Sequence, residues 1–109
     1  MTTPLEQYDS CIEHYRNGNI SEATAGLHKL TETAPDFALT YNALGALAKR
    51  DGKIDEAIKY AENYCKLAPT DPFGFTILSA YYIESGNRKL AEDAIAESIA
   101  IRIKQQQQL

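Results

Sequence analysis

The sequence predicts an all-α fold, a solenoid of three stacked antiparallel helix hairpins, and three observations carry that prediction. Gly18, Gly52 and Gly86 stand 34 residues apart. Ala23, Ala57 and Ala91 repeat the interval five positions later, and Pro35 and Pro69 keep it as well. Between these marks the apolar residues recur with the 3.6-residue period of a helix, not the two-residue period of a strand. The register divides most of the 109 residues into three units, 4–37, 38–71 and 72–105, which form one domain, with 1–3 as an N-terminal cap and 106–109 as a polar tail. A unit this short cannot bury an apolar face alone, so it must stack on its neighbours.

The first helix is expected over Pro4–Asn17. Thr3, Pro4 and Glu6 match a capping box with proline in the first turn, where its missing N–H is not needed. Gly18 is placed to take a positive φ and end this helix, and Gly52 and Gly86 do the same further on, so that the chain reverses in a few residues. The second helix, Ser21–Thr33, has Asn19 as its candidate cap, with Glu22 three residues on. The third, Ala38–Asp51, has Asp36 in that role. Its stripe of Leu39, Leu44, Leu47 and Ala48 resumes after Asp51-Gly52-Lys53 as Ala57, Ile58, Ala61, Tyr64, Cys65 and Leu67 of the fourth helix, Ile54–Leu67. Asp71-Pro72 repeats the capped, proline-led start for the fifth, Pro72–Ser85. The sixth covers Arg88–Lys104, and Gln105 to Gln108 read as a frayed polar end. Short connections make consecutive helices antiparallel neighbours. Ala23, Ala57 and Ala91, with Gly45 and Ser79 opposite, are the small contacts that let paired helices approach closely.

Unit two reads Tyr41, Leu44, Gly45, Ala48, Gly52, Ala57, Ala61, Tyr64, Leu67 and Pro69 at its marked positions. Unit three keeps Phe75, Leu78, Ser79, Tyr82, Gly86, Ala91, Ile95 and Ser98, with Ile103 where a proline is expected. Unit one has Gln7, Ser10, Cys11 and His14 in the early slots, then Gly18, Ala23, Leu27, Leu30 and Pro35. This pattern resembles the tetratricopeptide repeat over nearly the whole chain. The weaker early slots of unit one suit an end repeat with one face in water. The resemblance implies a right-handed superhelix whose first helices line a concave groove. It also implies a module that holds a peptide or helix of another protein and performs no chemistry.

Composition is ordinary for a globular chain, with 44% apolar and 24% charged residues. A net charge of -4 and a pI near 5.1 argue against sequence-independent nucleic-acid binding, which needs clustered lysine and arginine to displace counterions. No stretch approaches the roughly 20 apolar residues of a membrane-spanning helix, and the N-terminus lacks the regions of a secretory signal; the expected location is cytoplasmic. Met1 and the polar tail favour a whole protein over one piece of a longer array. Cys11 and Cys65 fall at apolar repeat positions and are expected to be core thiols, not a disulfide.

The residues of chemistry are sparse. His14 and His28 lack the spacing and the cysteine partners of a zinc site, and Gly-x-x-x-x-Gly-Lys is absent, so no metal and no cofactor is called for. Asp55-Glu56 and Glu92-Asp93 are expected near the starts of second helices, favouring the positive end of the dipole. Tyr41, Tyr64 and Tyr82 fall at packing positions, Tyr60 and Tyr81 at less diagnostic ones.

Carrying the groove positions implied by the resemblance onto this chain gives the candidate peptide-binding residues. Unit one supplies Tyr8, Ile12, Tyr15 and Arg16, with Leu5 beside them. Unit two supplies Leu39, Asn42, Ala46, Lys49 and Arg50, and unit three Phe73, Thr76, Ala80 and Ile83, with Glu84 beside them. The large apolar members form a trough and Arg16, Lys49 and Arg50 a basic strip along one rim, which suits a partner with apolar anchors and a nearby acidic group. Leu5, Leu39 and Phe73 serve equally well as packing residues, whereas Tyr8, Tyr15, Asn42, Lys49 and Arg50 are the types enriched at binding hot spots. Tetratricopeptide proteins that grip the acidic tail of heat-shock chaperones use lysines and asparagines where this chain has Tyr8, Ile12, Ala43, Phe73 and Ile77, so that carboxylate clamp is missing. The alternative reading is a structural protein that forms homo-oligomers through its uncapped ends, with Leu90, Ala94, Ile101 and Ile103 as apolar surface on the last helix.

Overall fold

The computed structural model describes residues 2–108; Met1 and Leu109, the outer residues of the expected cap segment and tail, lie outside them. Six helices follow in order: α1 (Pro4–Arg16), α2 (Ile20–Thr33), α3 (Ala38–Arg50), α4 (Ile54–Leu67), α5 (Pro72–Ser85) and α6 (Arg88–Gln107). The architecture is an all-α solenoid, with α1 on α2, α3 on α4 and α5 on α6, and with the hairpins joined through α2 on α3 and α4 on α5. No helix of the described residues is long and apolar enough to cross a membrane.

The helix starts follow the cap chemistry at two of the four expected places. The Glu6 N–H donates to Thr3 Oγ1 at 3.1 Å while the Thr3 N–H donates to Glu6 Oε1 at 3.3 Å, closing the capping box. Asp71 accepts from the Phe73 N–H at 3.0 Å ahead of Pro72. Asp36 does not cap α3. The cap position falls one residue later, on Phe37, which has no side-chain bond to offer the helix; its ring packs on Tyr8 with centroids 5.9 Å apart. Asn19 occupies the cap position of α2 but its side chain makes no cap bond, and Glu22 lies 3.4 Å from His14 instead of folding back. Asn87, not expected as a cap, accepts from the Leu90 N–H at 3.1 Å. The three repeat glycines take φ of +83°, +77° and +86°, a region that penalises any Cβ.

Helix pairing rests on small residues. Ala23, Ala57 and Ala91 are 0%, 0% and 1% exposed, and the Ser79 hydroxyl donates to the Ala91 carbonyl at 2.9 Å. Gly26 and Gly74 belong with them. A Cβ at Gly26 would stand 2.5 Å from Cys11 Sγ, and one at Gly74 would stand 2.7 Å from two ring carbons of Tyr64. Cys11 and Cys65 are free and buried, as expected. Of the aromatic residues, Tyr82 is core, and so is Tyr81, whose slot gave no hint of it. Tyr41 and Tyr64 are half-buried with bonded hydroxyls, Tyr41 donating to the Pro35 carbonyl at 2.8 Å and Tyr64 to the Asp71 carboxylate.

The expectations for α6 need the most correction. The helix does not fray at Lys104 but runs to Gln107, because Gln105 Nε2 donates to the Thr70 carbonyl at 2.7 Å and ties the end to the preceding loop. Of the four residues expected as apolar surface, Leu90 and Ile103 are exposed, at 41% and 51%, whereas Ile101 is half-buried and Ala94 buried. Glu92 and Asp93 lie beyond the first turn and pair with Arg88 at 3.8 Å and Lys89 at 2.8 Å, one turn back on the same helix.

Burial also sets a pH dependence. Desolvation first, then the bond to a carboxylate and its charge, pushes Tyr64 up to about 12 and Tyr82, which donates to Glu62 at 2.7 Å, up to about 12. Desolvation pushes the Cys65 thiol up to about 11. All three hold their protons more tightly folded than unfolded, so their contribution is intact below the unfolded values and is lost as pH climbs through the folded ones. Urea midpoints are therefore expected to fall between pH of about 9 and about 12, less steeply in Tyr64→Phe. A midpoint flat across that window contradicts the assignment.

Candidate functional site

A cleft of about 250 Å³ opens between the first two hairpins. One wall is α1, where Tyr8, Ile12 and Tyr15 fall at i, i+4 and i+7 and so share a face. The other is α3, with Asn42, Ala43, Ala46 and Leu47. Cys11, Ala23 and Leu27, all buried, form the floor. The lining is mostly apolar, and its polar groups are the Tyr8 and Tyr15 hydroxyls and the Asn42 amide. Burial, with the charge of Asp9 beside it, raises the Tyr8 pKa, which keeps the phenol neutral and able to donate. Burial likewise raises the Cys11 thiol, which disfavours the thiolate needed for attack.

Arg50 marks the cleft's rim. Its guanidinium carbon lies 5.7 Å from the centroid of the Tyr15 ring, a cation–π distance. Lys49 and Arg50 are exposed in the last turn of α3, and among the described residues neither has an ion-pair partner. The site thus pairs an apolar trough with uncompensated positive charge, an arrangement for an amphipathic segment bearing a carboxylate. Among the described residues no group of three or more histidine, cysteine, aspartate or glutamate side chains is arranged to hold a metal ion.

Of the thirteen residues carried over by resemblance, the structure gathers Tyr8, Ile12, Tyr15, Asn42 and Ala46 into this one cleft, with Arg50 on Tyr15 at its edge. Lys49 lies next to Arg50 on exposed surface. Arg16 is directed to Glu13 on its own helix at 3.7 Å. Leu39 is half-buried outside the lining. Phe73, Ala80 and Ile83 are exposed on α5 and are not among the lining residues, with Phe73 and Ile83 at 58% and 59% exposure. The Thr76 hydroxyl is engaged inside its own hairpin, with Ser98 Oγ at 2.9 Å and the Pro72 carbonyl at 3.1 Å.

The repeat itself explains why a cleft opens between these two hairpins. Shifted by 34 positions, Ala43 and Leu47 become Ile77 and Tyr81. Ile77 packs against the core and Tyr81 is buried, its ring edge 3.7 Å from where a Cβ on Gly45 would lie. These larger side chains occupy, between the second and third hairpins, the volume that the smaller pair leaves open between the first and second. Comparing residue size at equivalent positions was the available signal for Ala43, Leu47 and the floor residues.

Comparison with solved structures finds this architecture repeatedly. A crystal structure of MamA superposes with a TM-score of 0.87 at 18% identity, covering 97% of this chain and 62% of that one. The CopN–Scc3 complex contains a chain matched at a TM-score of 0.80 and 15% identity, over 90% of this chain and 58% of that one. The Yersinia enterocolitica type III secretion translocator chaperone SycD, in an alternative dimer, gives 0.79 and 18%, over 91% and 75%. The chain spans about three fifths of the first two structures. No protein-family model matches it, and no curated protein sequence does. At such identities the likeness establishes a shared helical-repeat fold and nothing further.

Proposed function

We propose that the chain is a three-unit tetratricopeptide-type module, non-catalytic, that holds an amphipathic helix or peptide of a partner protein as a chaperone or assembly scaffold. The observation that carries this reading is the cleft between α1 and α3, apolar along its length and basic at one rim. In it Ile12, Tyr15 and Ala46 receive apolar anchors, Asn42 bonds the partner's backbone, and Lys49 with Arg50 meets its carboxylate. Similarity to a secretion chaperone and to a chain of a two-protein complex lends weight to a protein partner.

A panel of amphipathic helical peptides, each with two apolar anchors one turn apart and a glutamate beyond them, provides the probe. Resonances of Ile12, Tyr15, Asn42 and Ala46 are expected to shift on titration. The Tyr15→Ala, Arg50→Glu double variant is expected to bind at least roughly tenfold more weakly with unchanged helix content, since it removes an aromatic anchor and inverts the rim charge. Equal binding by that variant, or shifts confined to α5 and α6, would count against the cleft.

A further inference from the structure

The last helix carries a second apolar surface, unrelated to the cleft. Ile95 and Ile99 stand 34 positions beyond Ala61 and Cys65, which are 5% and 6% exposed in the cluster they share with Leu78 and Tyr81 of α5. Ile95 also stands 68 positions beyond Leu27, buried beside Leu44 of α3. In the first two units, then, these positions lie under the first helix of the following hairpin. On α6 they are open: Ile95, Ile99 and Ile103 are 39%, 52% and 51% exposed.

The first helix of another copy does not suit this face. The α1 residues equivalent to Gly74, Ile77, Leu78 and Tyr81 are Glu6, Asp9, Ser10 and Glu13, and head-to-tail stacking would set three carboxylates on isoleucines. A second α6 suits it well. Residues 88, 92, 95, 99, 102 and 106 are all exposed and follow the alternating four-three spacing of a coiled-coil seam. They read Arg88, Glu92, Ile95, Ile99, Arg102 and Gln106, with apolar residues at the centre and opposite charges on either side. An antiparallel copy centred on Glu97 opposes Ile95 to the second copy's Ile99, and Glu92 to the second copy's Arg102, each contact made twice by symmetry. A parallel copy would oppose Glu92 to Glu92 and Arg102 to Arg102. The existing Arg88–Glu92 contact, at 3.8 Å between exposed side chains, is weak enough to yield.

We propose that two copies of this chain associate through α6 as an antiparallel pair, with Ile95 and Ile99 as its apolar centre and Glu92–Arg102 contacts fixing its direction. Sedimentation equilibrium tests it. The unaltered chain is expected to be dimeric at high micromolar concentration, and Ile99→Asp monomeric with its helix content retained. Glu92→Arg is expected to weaken the dimer roughly tenfold, and Glu92→Arg combined with Arg102→Glu to restore it, because the swapped charges again meet their opposites. An unaltered chain that stays monomeric, as it would if a different protein or further residues were the occupant of this face, overturns the proposal. So does a dimer indifferent to Ile99→Asp, or a double variant no tighter than the single.

Discussion

Leu27→Ala is expected to remove about 2–5 kcal/mol of folding stability, the range for truncating a fully buried leucine. Leu27 is 1% exposed and packs between Cys11 of α1 and Leu44 of α3, so it joins the first hairpin to the second. Ala23 beside it has no side chain with which to fill the space, and the short helices are held by their packing more than by their propensity. For a domain of this size the loss corresponds to a melting temperature lower by roughly 10–20 °C. Ile12→Ala, on the half-buried wall of the same cleft, is expected to shift it far less. Thermal melts followed by circular dichroism compare the two; a Leu27→Ala chain melting within a few degrees of the parent would show that this contact does not hold the hairpins together.

Gly74→Ala is expected to destabilise by about 1–3 kcal/mol, the usual cost of overfilling a packed contact, whereas Gly45→Ala is expected to be neutral or to stabilise by up to about 1 kcal/mol through helix propensity. Both glycines are helical and buried. The difference is what a new methyl group would touch. At Gly45 the nearest atoms are the Ala57 carbonyl oxygen and Tyr60 Cβ, both at 3.5 Å, ordinary contact distances. At Gly74 the methyl would meet the Tyr64 ring at 2.7 Å, and that ring is held in place by its hydroxyl's bond to Asp71. Chemical denaturation of the two variants gives the sign of each change directly. Stabilisation by Gly74→Ala would mean the Tyr64 ring moves aside at little cost.

Much of the fold was legible because its determinants are local and repeated. The predicted bounds of α4 and α5 coincide with the observed ones, since proline, aspartate and glycine punctuate the chain where helix ends demand particular dihedrals or unsatisfied N–H groups need an acceptor. The failures are informative in the same terms. Asp36 and Asn19 are good capping types, but which residue caps depends on a one-residue placement of the helix start and on rival partners such as His14. The local pattern places the end of α6 about one turn short because the bond from Gln105 to Thr70 spans 35 positions, beyond the reach of any such pattern.

The candidate site divides along the same line. That Tyr8, Ile12 and Tyr15 share a face follows from helical spacing alone, and residue type singled out Tyr15 and Arg50, which the structure sets in contact. The resemblance also implies Phe73, Thr76, Ala80 and Ile83, which are not among the residues lining the cleft. Order along the chain was enough to establish six helices, their pairing and the small residues between them, because a hydrogen-bonded turn and its amphipathic stripe involve neighbours a few positions apart. Where the stack opens, how Gly26 and Gly74 serve it, and that Ile95 and Ile99 stand uncovered beside the expected Ile103 were settled by tertiary packing, because each depends on the volumes of side chains that meet only after the hairpins have stacked.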